Sequence, residues 1–257
     1  MSVVTLVHEG VRQVSVENLG SGSIRVEPGP DARVVEGSIT ATDEDLLGAT
    51  SVRQDRDHLR ITLPYRQLGS AQAHLRLGVP AGLSFNLATG SADIAITTDI
   101  ARSRITSGSG DITTAGASDI TCTTGSGDIA MAAVRGEAAR VNTGSGDIEI
   151  DDAYCPLSAK SGSGDVLIRT LHRADLQASS GSGDITVPFT SGSVDLRSAS
   201  GSLTVGIADD LPAWLDLNSV SGRIRIALEA SAPPAAGEPF VSVRARTASG
   251  EIAVYRA

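Results

Sequence analysis

The chain reads as an all-β protein: a parallel β-helix, or β-solenoid, with coils of about 18 residues. Three observations point there. A block Ser-Gly-Ser-Gly-Asp-Ile and its close variants recur along most of the 257 residues. The intervals between copies are short and nearly constant. The residues flanking each copy alternate apolar and polar, as the two faces of a β-strand require.

Residues 1–82 are the least regular. VRQVSVENL, SIRVEP, ARVVEGSIT, HLRITLPY and AHLRLGVP each read as a strand, and Gly20-Ser21-Gly22-Ser23-Ile24 has the form of an early corner. This segment is expected to supply opening coils and a cap, because an exposed solenoid end leaves unpaired backbone and invites end-to-end association.

Residues 83–257 make up the repeat array, expected as one continuous body. With the Asp as position zero, copies fall at Asp93, Asp111, Asp128, Asp147, Asp165 and Asp184, then at Ser202, Arg223 and Glu251, at intervals of 18, 17, 19, 18, 19, 18, 21 and 28 residues. One residue after position zero stand Ile94, Ile112, Ile129, Ile148, Val166, Ile185, Leu203, Ile224 and Ile252. Three after it stand mostly Ile, Val or Met, with Thr114 the exception. Six and eight residues before it a second apolar series runs through positions such as Leu87, Ile105, Cys122 and Val141. Each coil therefore has at least two strands.

Four residues before position zero every copy has Ser or Thr, and two before it every copy has Ser. Both places are expected to continue the inward face as hydroxyl ladders. The Gly just before the Asp and the Asp itself are then two consecutive outward residues at a corner.

Coils stacked in register sit about 4.8 Å apart, so like side chains form columns. Branched and hydroxylated columns gain from this. An Asp column does not, since carboxylates at that spacing repel by roughly 1 kcal/mol in water. One reading is that each corner Asp accepts hydrogen bonds from local backbone N–H groups, as in an Asx turn. The other is a calcium ladder, with Asp93, Asp111, Asp128, Asp147, Asp165 and Asp184 as the candidate ligands. The calcium β-roll pattern repeats every nine residues and separates its last Gly from the Asp, whereas Gly and Asp are adjacent here. Ser202 and Arg223 also fill the ligand place late in the array, so calcium is not expected to be obligatory and no cofactor is implied.

Late in the array, ALEASAPPAAGEPF before Val243 and ADDLPAWLD around Trp214 break the period. They are expected to be capping loops, with contact sites as the alternative. Aromatic residues are few (Phe85, Phe189, Phe240, Tyr65, Tyr154, Tyr255 and Trp214), as a thin two-sheet core requires.

The net charge of −9, with Lys160 the only lysine, argues against a nucleic-acid partner. The opening MSVVTLVHEGVRQ lacks a signal-peptide pattern and no run is long enough to span a bilayer, so the expected location is cytoplasmic. Cys122 and Cys155 are expected to be plain thiols, Cys122 in an inward column.

The run HLRLGVPAGLSFNLATGSADIAI, followed by the Ser-Gly-Asp-Ile units, resembles a bacterial β-strand-repeat family of unknown function whose members go by the name of adhesins. The resemblance covers about Val11 to Tyr255. It implies a β-helix or related solenoid, and envelope association with a membrane anchor in many relatives. This chain is expected to depart from them in having neither anchor nor signal.

Some β-helices are carbohydrate-active enzymes, which leaves catalysis as a remote alternative. The outward places just after each corner hold Ala95, Thr113, Ala130, Glu149, Leu167, Thr186, Thr204, Arg225 and Ala253, and show no cluster of carboxylates with Arg, Lys or His. The Asp row is uniform, whereas acid and base roles need two different environments. His8, His58, His74 and His172 are scattered and read as surface or turn residues. Asp151-Asp152 and His172-Arg173-Asp175 occupy variable turns of adjacent coils, either as solvated charge or as a small polar binding site. No catalytic residue is assigned.

Two non-enzymatic functions remain. In one, a rigid scaffold presents its variable turns to a protein or glycan partner. In the other, the chain polymerises end to end, as bactofilin-like β-helices do.

Overall fold

The computed structural model describes residues 3–64, 71–229 and 237–257. Tyr65 and residues 230–236 of the Pro-rich insertion lie outside the described residues. The chain divides into two compact units, Met1–Ile129 and Ala130–Ala257. Each is a pair of facing sheets in which every coil adds one strand to each sheet.

Unit 1 begins with β1 (Val3–Glu9), β2 (Gln13–Leu19), β3 (Gly22–Pro28) and β4 (Val34–Ala41). A one-turn helix α1 (Glu44–Gly48) follows, capped by the Asp43 carboxylate, which accepts from the Asp45 N–H; it buries Leu46 and Leu47. Then come β5 (Ser51–Asp55), β6 (His58–Thr62), β7 (Ala73–Val79), β8 (Ser84–Thr89), β9 (Asp93–Ile100), β10 (Ser103–Ser107), β11 (Ile112–Ala117) and β12 (Ile120–Thr124). Strand β13 (Ile129–Val134) starts at the division.

One sheet of unit 1 runs β1-β4-β7-β3-β9-β11 and the other β5-β6-β2-β8-β10-β12. The coil β2/β3 lies between β6/β7 and β8/β9, in parallel register with both. Ser23 falls in the column of Asp93, and His74 falls beside Ser23, so the early corner at Gly20–Ile24 is a true coil corner. The outermost parallel coil, β6/β7, is closed by antiparallel strands, β5 on β6 and β4 on β7.

Unit 2 holds β14 (Ala139–Thr143), β15 (Ile148–Ala153), β16 (Leu157–Ser161), β17 (Val166–Leu171), β18 (Leu176–Ser180), β19 (Ile185–Thr190), β20 (Val194–Ser198), β21 (Leu203–Ile207), β22 (Ala213–Ser219), β23 (Ile224–Ala227), β24 (Val241–Thr247) and β25 (Ile252–Arg256). Its sheets run β15-β17-β19-β21-β25-β23 and β14-β16-β18-β20-β24-β22, all parallel. The columns read from the period are in register: Ile148 pairs with Val166, Val166 with Ile185, Ile185 with Leu203, and Leu203 with Ile252. Each of these side chains is at most 1% exposed. Burial of this kind contributes about 1.5–3 kcal/mol per side chain.

Stacking does not follow chain order throughout. The coil β24/β25 lies between β20/β21 and β22/β23, so the late copies stack as Ser202, Glu251, Arg223. Every coil offers the same inward pattern, so either order satisfies the columns. The long link before Val241 gives the chain room to lay this coil inside. The segment around Trp214, expected as a capping loop, is strand β22 of the outermost coil.

The corner departs from expectation as well. The Ser two before position zero faces outward (Ser109, Ser126, Ser163 and Ser182 are exposed), while the Gly just before the Asp is buried at Gly110, Gly127, Gly164 and Gly183. The two consecutive outward residues are thus the earlier Gly and that Ser. The inward Gly is dictated by close approach: a Cβ on Gly183 would stand 2.0 Å from the Gly164 carbonyl oxygen in the neighbouring coil. The inner hydroxyls of Ser161, Ser180, Ser198, Ser219 and Thr247 bond to glycine backbone. Ser180 Oγ accepts from the Gly183 N–H at 2.9 Å and donates to the Gly164 carbonyl at 3.0 Å. Ser161, Ser198, Ser219 and Thr247 repeat this bridge between a glycine N–H of their own coil and a glycine carbonyl of the next. Buried polar backbone is satisfied in this way at each of these turns.

Candidate functional site

The corner aspartates line up within each unit. In unit 1, Asp93 Oδ1 accepts from the backbone N–H of Asp111 at 3.1 Å and Asp111 Oδ1 from that of Asp128 at 2.9 Å. In unit 2, Asp147, Asp165 and Asp184 accept from the N–H groups of Asp165, Asp184 and Ser202 at 2.7–2.8 Å. Each carboxylate thus takes up an amide that the corner turns away from the regular ladder. Among the described residues, no three His, Cys, Asp or Glu side chains are grouped to hold a metal ion.

A second constellation lies on the variable turns of unit 2. Ala153 pairs with Leu171 in the ladder, so the next residues, Tyr154 and His172, fall one above the other. Their backbone N–H groups bond to the Val134 and Ala153 carbonyls, each at 2.9 Å, which carries the column back to Arg135. The Tyr154 and His172 rings are parallel within 1°, with centroids 4.1 Å apart. The Arg135 guanidinium carbon stands 4.9 Å from the centroid of the Tyr154 ring. Three flat groups from three successive coils form one stack, and a cation over an aromatic face adds about 0.5–1 kcal/mol at an exposed site.

The pair Asp152 and His172, expected only to lie in neighbouring turns, is joined: His172 Nε2 stands 2.9 Å from Asp152 Oδ1. Beside it Arg169 bridges two carboxylates, contacting Glu149 and lying 2.9 Å from Asp151 Oδ1. Hydrogen bonding to Glu149 raises the Arg169 pKa further above its already high value. A carboxylate–arginine cluster thus exists where the outward places alone showed none, because its members come from different places along two strands. Arg173 and Asp175 make no bond to the Asp152–His172 pair. Arg173 holds a left-handed backbone, φ 46°, at the turn.

In the next coil Ser191 continues the column, since Leu171 pairs with Thr190. Its hydroxyl donates to the Leu171 carbonyl and accepts from the Arg173 N–H. His172 is therefore not poised to activate Ser191. The arrangement offers ring edges, a carboxylate and a guanidinium for contact. Tyr154 is 45% exposed, so the stack is accessible.

The remaining histidines each meet one polar side chain: His8 with Gln54, His58 with Ser15, and His74 with Ser23. Cys122 and Cys155 are both buried thiols. Sequence reasoning missed Tyr154 and Arg135. Extending the strand alignment one residue past the apolar ends would have put them in the His172 column.

Repeated two-strand coils, columned side chains and a decorated turn edge define a β-solenoid repeat protein. The chain belongs to the Toastrack DUF4097 family, whose pattern matches residues 4–255. Among solved structures it is similar to a "putative adhesin" from Bacteroides fragilis, with a TM-score of 0.50, 15% identity, and coverage of 98% of this chain and 97% of that one. A "putative lipid binding protein" from Parabacteroides distasonis aligns with a TM-score of 0.47 at 16% identity, covering 98% of this chain and 96% of that one. No curated protein matches. Among the described residues no helix is long and apolar enough to cross a membrane.

Proposed function

We propose that the protein is a non-catalytic, adhesin-like binding scaffold that presents its variable turns to a protein or glycan partner. The observation that carries this reading is the Arg135–Tyr154–His172 stack. Three turns of unit 2 hold flat, polar-edged side chains in a fixed column on a framework of parallel strands. Binding surfaces favour aromatic and arginine side chains because they offer large contact area at small entropic cost. Here stacking and the Asp152 bond restrain the side chains before any partner arrives, which lowers the ordering cost of association. The non-catalytic part of the reading draws on Ser191, whose hydroxyl is occupied by backbone groups and not by His172.

The test is a glycan array and a pull-down from the native source, run with the wild-type chain and with Tyr154→Ala and Arg135→Ala variants. A ligand retained by the wild type and weakened about tenfold or more by either substitution, or roughly 1.4 kcal/mol, supports the reading. A ligand held equally by all three would place recognition elsewhere and overturn the role of this edge.

A further inference from the structure

The outermost coils of the two units are finished differently. In unit 1 the coil β6/β7 carries an antiparallel strand on each sheet, β5 and β4. In unit 2 the coil β22/β23 is outermost in both sheets, and among the described residues no strand pairs with its outer edges. Its inward places are those of every other coil, yet they are uncovered. Ile224 is 42% exposed and Ile226 53%, whereas their neighbours Ile252 and Val254, one coil further in, are 0% and 1%. Val220, at the corner between the two strands, is 81% exposed.

This coil is a formed template and not a frayed segment. Strand β22 pairs with β24 through seven residues, Ala213 to Ser219. Asp216 accepts from Arg244 and from Arg246, each at 3.1 Å, and its carboxyl is held below the usual range chiefly by the Arg246 bond. Arg225 lies 3.2 Å from Glu251, and Ser219 Oγ donates to the Gly250 carbonyl. What the coil lacks among the described residues is a strand on each sheet, at the separation of the two sheets, with apolar side chains turned inward.

We propose that β22 and β23 form a dimerisation surface for a second copy of this chain, related by a two-fold axis. A two-fold axis normal to the sheets lays β22 antiparallel on its equivalent and β23 antiparallel on its equivalent. Inward side chains stay inward, so Ile224, Ile226, Leu215 and Leu217 of both copies close one continuous core. The chain already uses this mode of closure in unit 1, where antiparallel strands cap both sheets of a parallel coil. Head-to-tail stacking fits less well: the outer edge of unit 1 is uneven, with β4 and β1 added on one sheet and β5 alone on the other. An isologous contact closes after two copies and leaves no edge for growth.

Sedimentation equilibrium of the full chain from about 1 to about 100 µM tests this, since that range brackets a specific dimer of moderate affinity. The expected result is a concentration-dependent approach to twice the chain mass. Ile224→Lys and Ile226→Lys alter side chains that are exposed in the monomer, so each is expected to leave the melting temperature of a dilute sample unchanged. Each is also expected to weaken association at least tenfold. A wild type that stays at one chain mass throughout overturns the proposal, as do growing filaments or a dimer indifferent to both substitutions.

Discussion

The carboxylate of Asp165 holds the backbone N–H of Asp184, one coil away, at 2.8 Å. Asp147 does the same for Asp165 at 2.7 Å. The column therefore trades a row of neighbouring like charges for a row of satisfied amides, and the two effects can be separated by substitution. Asp165→Asn keeps an acceptor oxygen and removes charge, so it is expected to be neutral or mildly stabilising. Asp165→Ala removes the acceptor and is expected to cost about 1 kcal/mol, read from urea unfolding midpoints. An Asn variant weaker than the Ala variant would mean that the charge itself is needed.

The same geometry sets the expectation for calcium. One oxygen of each of these carboxylates is engaged by a backbone N–H, and the amide donors satisfy what a cation would otherwise be needed to neutralise. Melting curves in chelator and in millimolar calcium are expected to coincide. Tight binding to the folded state would instead raise stability by RT ln(1 + [L]/Kd), about 2.7 kcal/mol at a hundredfold excess over Kd. A rise of many degrees would make the six aspartates ligands after all.

Corner parity is tested by two adjacent residues. Gly183 is buried, and a Cβ there would stand 2.0 Å from a backbone oxygen, which cannot move without breaking the coil spacing. Ser182 is exposed. Gly183→Ala is expected to destabilise by about 3 kcal/mol or more, the upper range for overpacking, while Ser182→Ala stays within about 0.5 kcal/mol, as most surface substitutions do. The reverse ranking would place the serine inside.

Much of this architecture was legible from spacing alone. The pairing of Ile148 with Val166 follows from a period that brings like residues into one column. The interposed coil around Ile252 was not legible, because a column of Ile and Val accepts any coil as its neighbour and records no order. The corner parity was hidden for a different reason: a glycine has no side chain, so alternation gives no sign there, and the adjacent serine is at home on either face. Among the candidate residues, Asp152 and His172 were legible as neighbours. Their stacking partner Tyr154 was not, since it sits just past the apolar alternation that set the alignment.

One residue in the core breaks the column chemistry. Thr114 is 1% exposed, and its hydroxyl has no hydrogen-bond partner among the described residues. Its ladder neighbour Ile96 is aliphatic, and so are the equivalents in unit 2, Ile150 and Ile168. A buried hydroxyl without a partner costs about 1–3 kcal/mol, and valine has nearly the same shape. Thr114→Val is therefore expected to raise the urea midpoint at unchanged slope, by about 1 kcal/mol or more in stability. A loss of stability would show that the hydroxyl is satisfied after all.

Cys122 gives the core a signature in pH. Burial pushes its thiol up to about 12, whereas an unfolded chain ionises a thiol near 8.5. Below about 8.5 both states hold the proton and the group contributes no pH dependence. Between that value and about 12 only the folded state holds it, so the unfolded state binds fewer protons and stability falls as pH rises. The slope reaches about 1.4 kcal/mol per pH unit, or roughly 2 kcal/mol lost by pH 10. A Cys122→Ala variant has a constant offset from the cavity but lacks this slope, so the difference between the two urea series from pH 7 to 10 isolates the thiol. The buried thiol is also expected to resist alkylation until the chain is unfolded, because the thiolate is the reactive species. Parallel pH series for the two proteins, or rapid labelling of Cys122 in the folded state, would remove it from the inward column it shares with Ile105.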